Sequence, residues 1–256
     1  MEKPNNFKNF WQLSFQLAKA GFKLRNEGSY LGILWYLLNP LLLFLLLLLV
    51  FSDRLGNAIP NYPLYLLLGI IIFNFFQNAT TEATKIITKD YGGIIKSINF
   101  PRESLIGSLV LKTFFSHIFE IILFIVFIFI FKGSLAGLIF YPIILIFFCI
   151  FVFGACLILS SLTVYFVDLE NIWFFVSRLI WLGTPIFYAI GGQTRLFYIN
   201  LLNPLYYFIT ISREIIIYSR IPELWMIFGA VCYSLLLLLA GMLIFNKLKV
   251  KFAEMI

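Results

Sequence analysis

The sequence predicts an all-α polytopic membrane protein: six transmembrane helices, an N-terminal amphipathic interface helix, and a re-entrant outer segment before the last span. Three observations lead there. Of 256 residues, 62% are apolar and only 12% charged, against about 45–50% and about 25% in a soluble domain, so charge is too scarce to cover a water-facing surface. Mean hydropathy is +0.98. The apolar residues form continuous runs of roughly 20, the helix length that crosses about 30 Å of hydrocarbon, without the alternation of a membrane β-barrel. Residues 1–256 read as a single transmembrane domain, and the first apolar run, near Ile33, starts too late for a cleavable signal.

Residues 7–27 read as an amphipathic helix. At 100° per residue, Lys8, Asn9, Gln12, Gln16, Lys19 and Lys23 share one stripe, with Phe7, Phe10, Trp11, Phe15, Ala18 and Phe22 on the other side. A basic stripe against an aromatic face suits the headgroup layer, and the chain offers such a helix little else to pack against. The first span, 31–51, has Asn39-Pro40 in its middle, where proline removes a backbone bond and predicts a kink. A turn with Asp53, Arg54, Gly56, Asn57 and Pro60 leads to the second span, 63–85. That span is apolar through Phe73 and then polar along one face at Asn74, Gln77, Asn78, Thr81 and Lys85.

Residues 86–104 form the longest polar connection, with Lys89, Asp90, Gly92, Gly93, Lys96, Pro101, Arg102 and Glu103. Gly92-Gly93 is expected to break the helix, leaving Ile94–Phe100 as one short helical segment, while Pro101 and Glu103 suit the start of the next helix. The third span, 105–131, is entered with Ser104 and carries Ser108, Lys112, Ser116 and Glu120 at every fourth residue. The fourth, 138–166, gathers Gly154, Ala155, Ser160 and Ser161, small residues that let helices approach closely. Asp168-Leu169-Glu170-Asn171 leads to the fifth, 172–190, which ends in Thr184-Pro185-Ile186-Phe187-Tyr188.

Leu196–Ile211 is apolar enough to span, but Asn200, Asn203 and Pro204 lie at its centre. Two short helices that dip in and return over 195–220 fit better, because broken backbone is tolerated where protein buries it. The last span, 224–245, precedes Lys247, Lys249 and Lys251. Six spans with both termini cytoplasmic put 14 of the 19 Lys and Arg inside, and a seventh span would put 13 there. Both satisfy the positive-inside rule, so the proline and asparagines decide. The net charge of +7 then belongs to cytoplasmic loops and anionic lipid rather than to nucleic acid.

Few residues offer chemistry. Cys149, Cys156 and Cys232 all lie in apolar runs and suggest neither a disulfide frame nor a metal cluster. His117 and Glu120 stand at i and i+3 of the third span, and an intramembrane acid is a functional candidate by default. One histidine cannot assemble a zinc site, and one acid makes no proton relay. An ion-coupled carrier built on Glu120 and His117 remains the rival from another class. The polar residues of the second span (Asn74, Gln77, Asn78) and of the third (Lys112, Ser116, His117, Glu120) belong to antiparallel neighbours at one inner depth. They either bond to each other or line a hydrated entrance. Tyr36, Phe187, Tyr188, Tyr206 and Tyr207 add aromatic surface near the broken segments, on which a sugar chain could slide. No G-x-x-x-x-G-K-S/T phosphate loop is present, so no cofactor is expected in this chain; ATP and magnesium would sit on a partner, docked on 86–104.

Four motifs, in order, carry a resemblance: Leu31-Gly32-Ile33-Leu34-Trp35 leading to Asn39-Pro40, Asn99-Phe100-Pro101-Arg102-Glu103, Thr184-Pro185-Ile186-Phe187-Tyr188, and Leu202-Asn203-Pro204-Leu205 with Arg213. Together they resemble the membrane subunits of type-two ABC exporters, most of all the branch that exports lipid-linked polysaccharides such as O-antigen, capsule and teichoic acid. The resemblance implies a non-enzymatic permease of the inner membrane, acting as a homodimer with two ATP-binding cassette subunits. It implies that Gly92–Arg102 couples to the ATPase, with Lys89 and Asp90 beside it. Trp35, Tyr36, Asn39, Pro185, Phe187 and Tyr188 would line the path, and Asn203, Pro204, Tyr206, Tyr207 and Arg213 would form the outer gate. Asp168 matches an acidic position of the second inner loop, although Val167 stands where a basic residue is usual.

Overall fold

The computed structural model describes residues 6–26, 32–56, 58–97 and 100–255. Leu31, Asn57 and Asn99, and the side chains of Phe7, Lys8, Ile33 and Lys96, lie outside the described residues. Among those described, every regular element is a helix, and five helices are long and apolar enough to cross a membrane. They are α2 (Trp35–Leu55), α3 (Tyr62–Lys85), α5 (Glu103–Ile130), α6 (Tyr141–Thr163, preceded by a 3-10 turn, Ala136–Phe140) and α10 (Leu224–Leu248). The shorter helices are α1 (Asn6–Asn26), α4 (Gly92–Ser97), α7 (Leu169–Gly183), α8 (Thr194–Leu201), α9 (Pro204–Ile216) and α11 (Phe252–Met255).

The core is α3. From Leu64 to Phe76 every residue is buried, as expected of a helix that is apolar all round. It is enclosed by α2, α5, α6, α7 and α9. Its two ends define the ends of the bundle: distal at Tyr62, basal at Lys85, roughly 36 Å apart at 1.5 Å per residue. Phe75 lies 5.1 Å from His117 and Lys112 pairs with Glu82, so α3 and α5 are antiparallel and in register along their polar faces.

α6 and α10 cross at small residues. A methyl on Gly154 would stand 2.5 Å from the main chain of Leu237, and one on Gly241 would stand 2.5 Å from Gly154 O. Gly154 therefore does what its sequence context suggests, against a glycine partner the sequence did not single out.

Several expected boundaries move. The first span runs to Leu55, taking Asp53 and Arg54 into its last turn, and Pro40 stays inside the helix. What ends α3 is a π segment, Ile86–Asp90, closed by Tyr91 N–H on Ile86 O at 3.0 Å. Gly92 and Gly93 do not break a helix; they open α4. The fifth helix stops at Gly183, since Thr184 is extended ahead of Pro185, as a residue before proline usually is. Its 15 residues measure roughly 22 Å, short of the 30 Å or so of hydrocarbon. The non-helical residues 184–188 continue from it toward the distal end: Glu170 at the foot of α7 meets Lys85 and Lys89 at the basal end, while Tyr62 and Tyr65 hold Phe187 and Tyr188 at the distal end.

The N-terminal helix has a partner after all. Ser14 Oγ donates to Ser104 O (3.2 Å), Ser14 and Phe10 fill the space over Gly107, and Phe22 reaches Phe115 and Phe119. α1 thus runs up the basal half of α5. Phe10, Ser14, Ala18 and Phe22 turn toward it, while Trp11 and Phe15 are half exposed and Gln12, Gln16, Lys19 and Lys23 face outward.

Candidate functional site

The basal surface is built where α3 ends. Lys89, Asp90 and Gly93 are exposed, Gly92 and Ile95 are buried, and Pro101 and Arg102 are half-buried. Two ties hold this segment. Glu170 takes Lys85 on Oε1 at 3.2 Å and Lys89 on Oε2 at 2.5 Å, joining the π segment to the foot of α7. Lys89 above all, then Lys85, holds the Glu170 carboxyl below the usual range. Arg102 donates to Lys249 O, and Lys249 pairs with Glu103. Neither Glu170 nor Lys249 stood out in the sequence, because each meets its partner across more than 80 residues.

The polar faces of α3 and α5 meet in the Glu82–Lys112 pair and border a cavity near the base. Toward the middle the α5 face is satisfied along its own helix and by α6: His117 Nδ1 lies 2.9 Å from Glu120 Oε2 and His117 Nε2 lies 2.7 Å from the Tyr141 hydroxyl, all buried, with the His117 ring edge-on to Phe75 of α3. An imidazole that donates to the carboxylate and accepts from the phenol satisfies all three groups. Asn74 is buried, Gln77 and Asn78 are half-buried, and Ser116 donates to Lys112 O. Nearer the base the faces part, leaving a cavity of about 380 Å³ bounded by Leu17 and Gly21 of α1, the Glu82–Lys112 pair, Asp90 and Tyr91. Tyr36, in the first turn of α2, stacks on Phe119 at 6.1 Å. Glu120 therefore lies at the height where α2 begins, not halfway along it.

The candidate path residues separate. Trp35 and Asn39 lie on the exposed face of α2. Tyr36 is buried between Phe22 and Phe119. Phe187 is wedged between Phe51 and Trp181, and the Tyr188 hydroxyl turns back to Gly183 O at 2.8 Å, capping α7. Pro185 is buried, with its carbonyl taken by Arg213.

Arg213 organises the distal end. It is 3% exposed, and no carboxylate accounts for its hydrogen bonds. Nε and Nη2 donate to Tyr65 O (3.2 and 3.0 Å), Nη1 to Pro185 O (2.6 Å) and Nη2 to Ile186 O (2.8 Å), with the guanidinium 3.3 Å from the Tyr65 ring centroid. Tyr65 OH adds a bond to Tyr188 O (2.8 Å) and Tyr62 OH one to Phe187 O (3.0 Å). The stretch 184–188 is not helical, and these side chains satisfy main-chain carbonyls that a helix would have used itself. Asn203 caps α9 through Leu205 N–H (3.1 Å) and donates to Thr184 Oγ1 (2.7 Å), with Pro204 in the first turn. The α8–α9 pair is thereby fastened to the same stretch. Tyr206 and Tyr207 are buried, the latter donating to Leu201 O at 2.9 Å. Gly69, which the sequence did not mark, makes room for the guanidinium.

Residues 12–217 match the family described as ABC-2 type transporter. Two relatives from Klebsiella pneumoniae, each named O-antigen export system permease protein RfbA, are 31% and 29% identical, covering 98% of this chain and 97% of the relative. One of the same name from Myxococcus xanthus is 26% identical over 95% of both chains. A helical membrane bundle, most of its length inside one family and nearly all of it aligned with permeases, has one reading: the chain belongs to the ABC-2 type transporter family.

Proposed function

We propose that this chain is the permease subunit of an ATP-driven exporter that moves a lipid-linked polysaccharide of the O-antigen type, on an undecaprenyl-like carrier, across the inner membrane. The observation that carries the reading is the alignment over 98% of the chain with proteins named O-antigen export permeases. The active unit is two copies of this chain with two ATP-binding cassette subunits, on which ATP and magnesium are bound. Both termini are cytoplasmic, the basal end faces the cytoplasm, and the chain crosses six times, with α7 and residues 184–188 as the fifth passage. The exposed residues Lys89, Asp90 and Gly93 meet the ATPase. Trp35 and Asn39 on the open face of α2, together with α7, line the path, and the α8–α9 pair closes it outside.

Reconstitution in proteoliposomes tests this. With the ATPase subunit and ATP, lipid-linked O-antigen should cross, and the permease alone should move nothing against a gradient. Glu120→Gln should leave export within about threefold of wild type, because the acid is packed against His117 rather than exposed to a conducting route. Pumping without the ATPase, abolished by Glu120→Gln, would establish an ion-coupled carrier instead. Preferential export of teichoic acid, capsule, lipid or drug would keep the architecture and change the cargo.

A further inference from the structure

We propose that the C-terminal turn, 249–255, braces α4 and Arg102 of the coupling segment, with Phe252 as its positioning residue. The six-residue α4 is too short to hold its own shape, and it leaves α3 through a π segment and a bend. What it leans on lies at the other end of the chain. α11 rests on α4, and Phe252 is fully buried, edge-on to Phe245 at 5.5 Å. The Arg102 guanidinium lies 5.8 Å from the Phe252 ring centroid and donates to Lys249 O, while the Lys249 ammonium meets Glu103. Tyr165 OH donates to Leu248 O (3.2 Å), bringing the α6–α7 connection onto the same turn.

Half-exposed ion pairs such as Lys249–Glu103 stabilise little. The buried Phe252 ring supplies the holding force. The docking surface is therefore composite: its exposed residues come from 89–93, and its position comes from the chain end.

The functional half of this inference rests on the exporter reading; the structural half does not. In the permease–ATPase complex, Phe252→Ala should speed amide exchange at 92–97 by about tenfold or more, with α3 and α5 unchanged. It should weaken ATPase binding by a similar factor and raise the ATP consumed per polysaccharide exported, and Phe252→Leu should recover most of the loss. If Phe252→Ala loosens the whole bundle, the exposed pair decides: Glu103→Lys should speed exchange at 92–97 several-fold, and Glu103→Lys with Lys249→Glu should restore it. Wild-type exchange at 92–97 in both Phe252→Ala and Glu103→Lys overturns the brace. Altered exchange with unchanged ATPase affinity and coupling overturns its functional half. A wild-type complex that binds no ATPase defeats the exporter reading, and the exchange experiment still tests the brace.

Discussion

Replacing Gly69 by alanine should dislodge the distal end, and the size of the effect follows from the Arg213 contacts. A methyl there would stand 2.5 Å from Arg213 Nη2 and 3.3 Å from both Ile186 Cγ2 and Ile186 O. The guanidinium must retreat by about an ångström to reach ordinary contact. Nη2 then gives up its bonds to Tyr65 O and Ile186 O, while Nε keeps Tyr65 O and Nη1 keeps Pro185 O. Bonds from a charged donor are worth about 1.5–3 kcal/mol each, so roughly 3–6 kcal/mol is lost. Alanine returns about 1 kcal/mol of helix propensity, leaving a net loss of roughly 2–5 kcal/mol. For a chain of this size that is a fall of roughly 4–20 °C in thermal midpoint, measurable by melting in detergent.

Gly93→Ala is the control, because a methyl there meets open space; its midpoint should not fall. Arg213→Gln removes the clash along with the clamp, so the double variant should lose less than the sum of the singles. A wild-type midpoint in Gly69→Ala, or strict additivity with Arg213→Gln, would refute the clamp.

Gly154→Ala should separate α6 from α10, because its methyl would press on Leu237 main chain that cannot rotate away. A loss of roughly 1–3 kcal/mol or more is expected, against no loss for Gly183→Ala, whose methyl meets nothing; comparative melting checks both. Glu170→Gln should free the foot of α7 from Lys85 and Lys89, raising basal ATP turnover relative to export in the coupled complex. Because the folded Glu170 carboxyl titrates below its ordinary value of 4.5, its contribution is present above that pH and is lost as the pH falls through the lowered folded value. A probe distance from residue 89 to residue 170 that lengthens at neutral pH, or does not change on acidification, would contradict this.

Composition and run length were enough to announce a helical membrane bundle, because the cost of exposing peptide groups to hydrocarbon leaves a long apolar run no other choice. The paired short helices around Asn203-Pro204 were legible for a similar reason: a cap and a proline act on the residues next to them. The fifth expected span, 172–190, stops being helical at Gly183, and an apolar run does not say whether its backbone bonds are its own. At 184–188 they are supplied by Tyr62, Tyr65 and Arg213, residues as many as 125 positions away.

Much of the candidate site was hidden in the same way. Gly69 carries no signal until a guanidinium is packed over it, and Phe252 is one more apolar residue until α4 is laid against it. That Tyr36 and Tyr206 are buried, packed against Phe119 and Tyr207, could not be read from their positions in the sequence. Local pattern reports what a segment requires of its solvent, lipid or water, and that was written along the chain. Which buried carbonyl, ring or ion each side chain meets depends on how the helices cross, and only the assembled bundle sets those crossings.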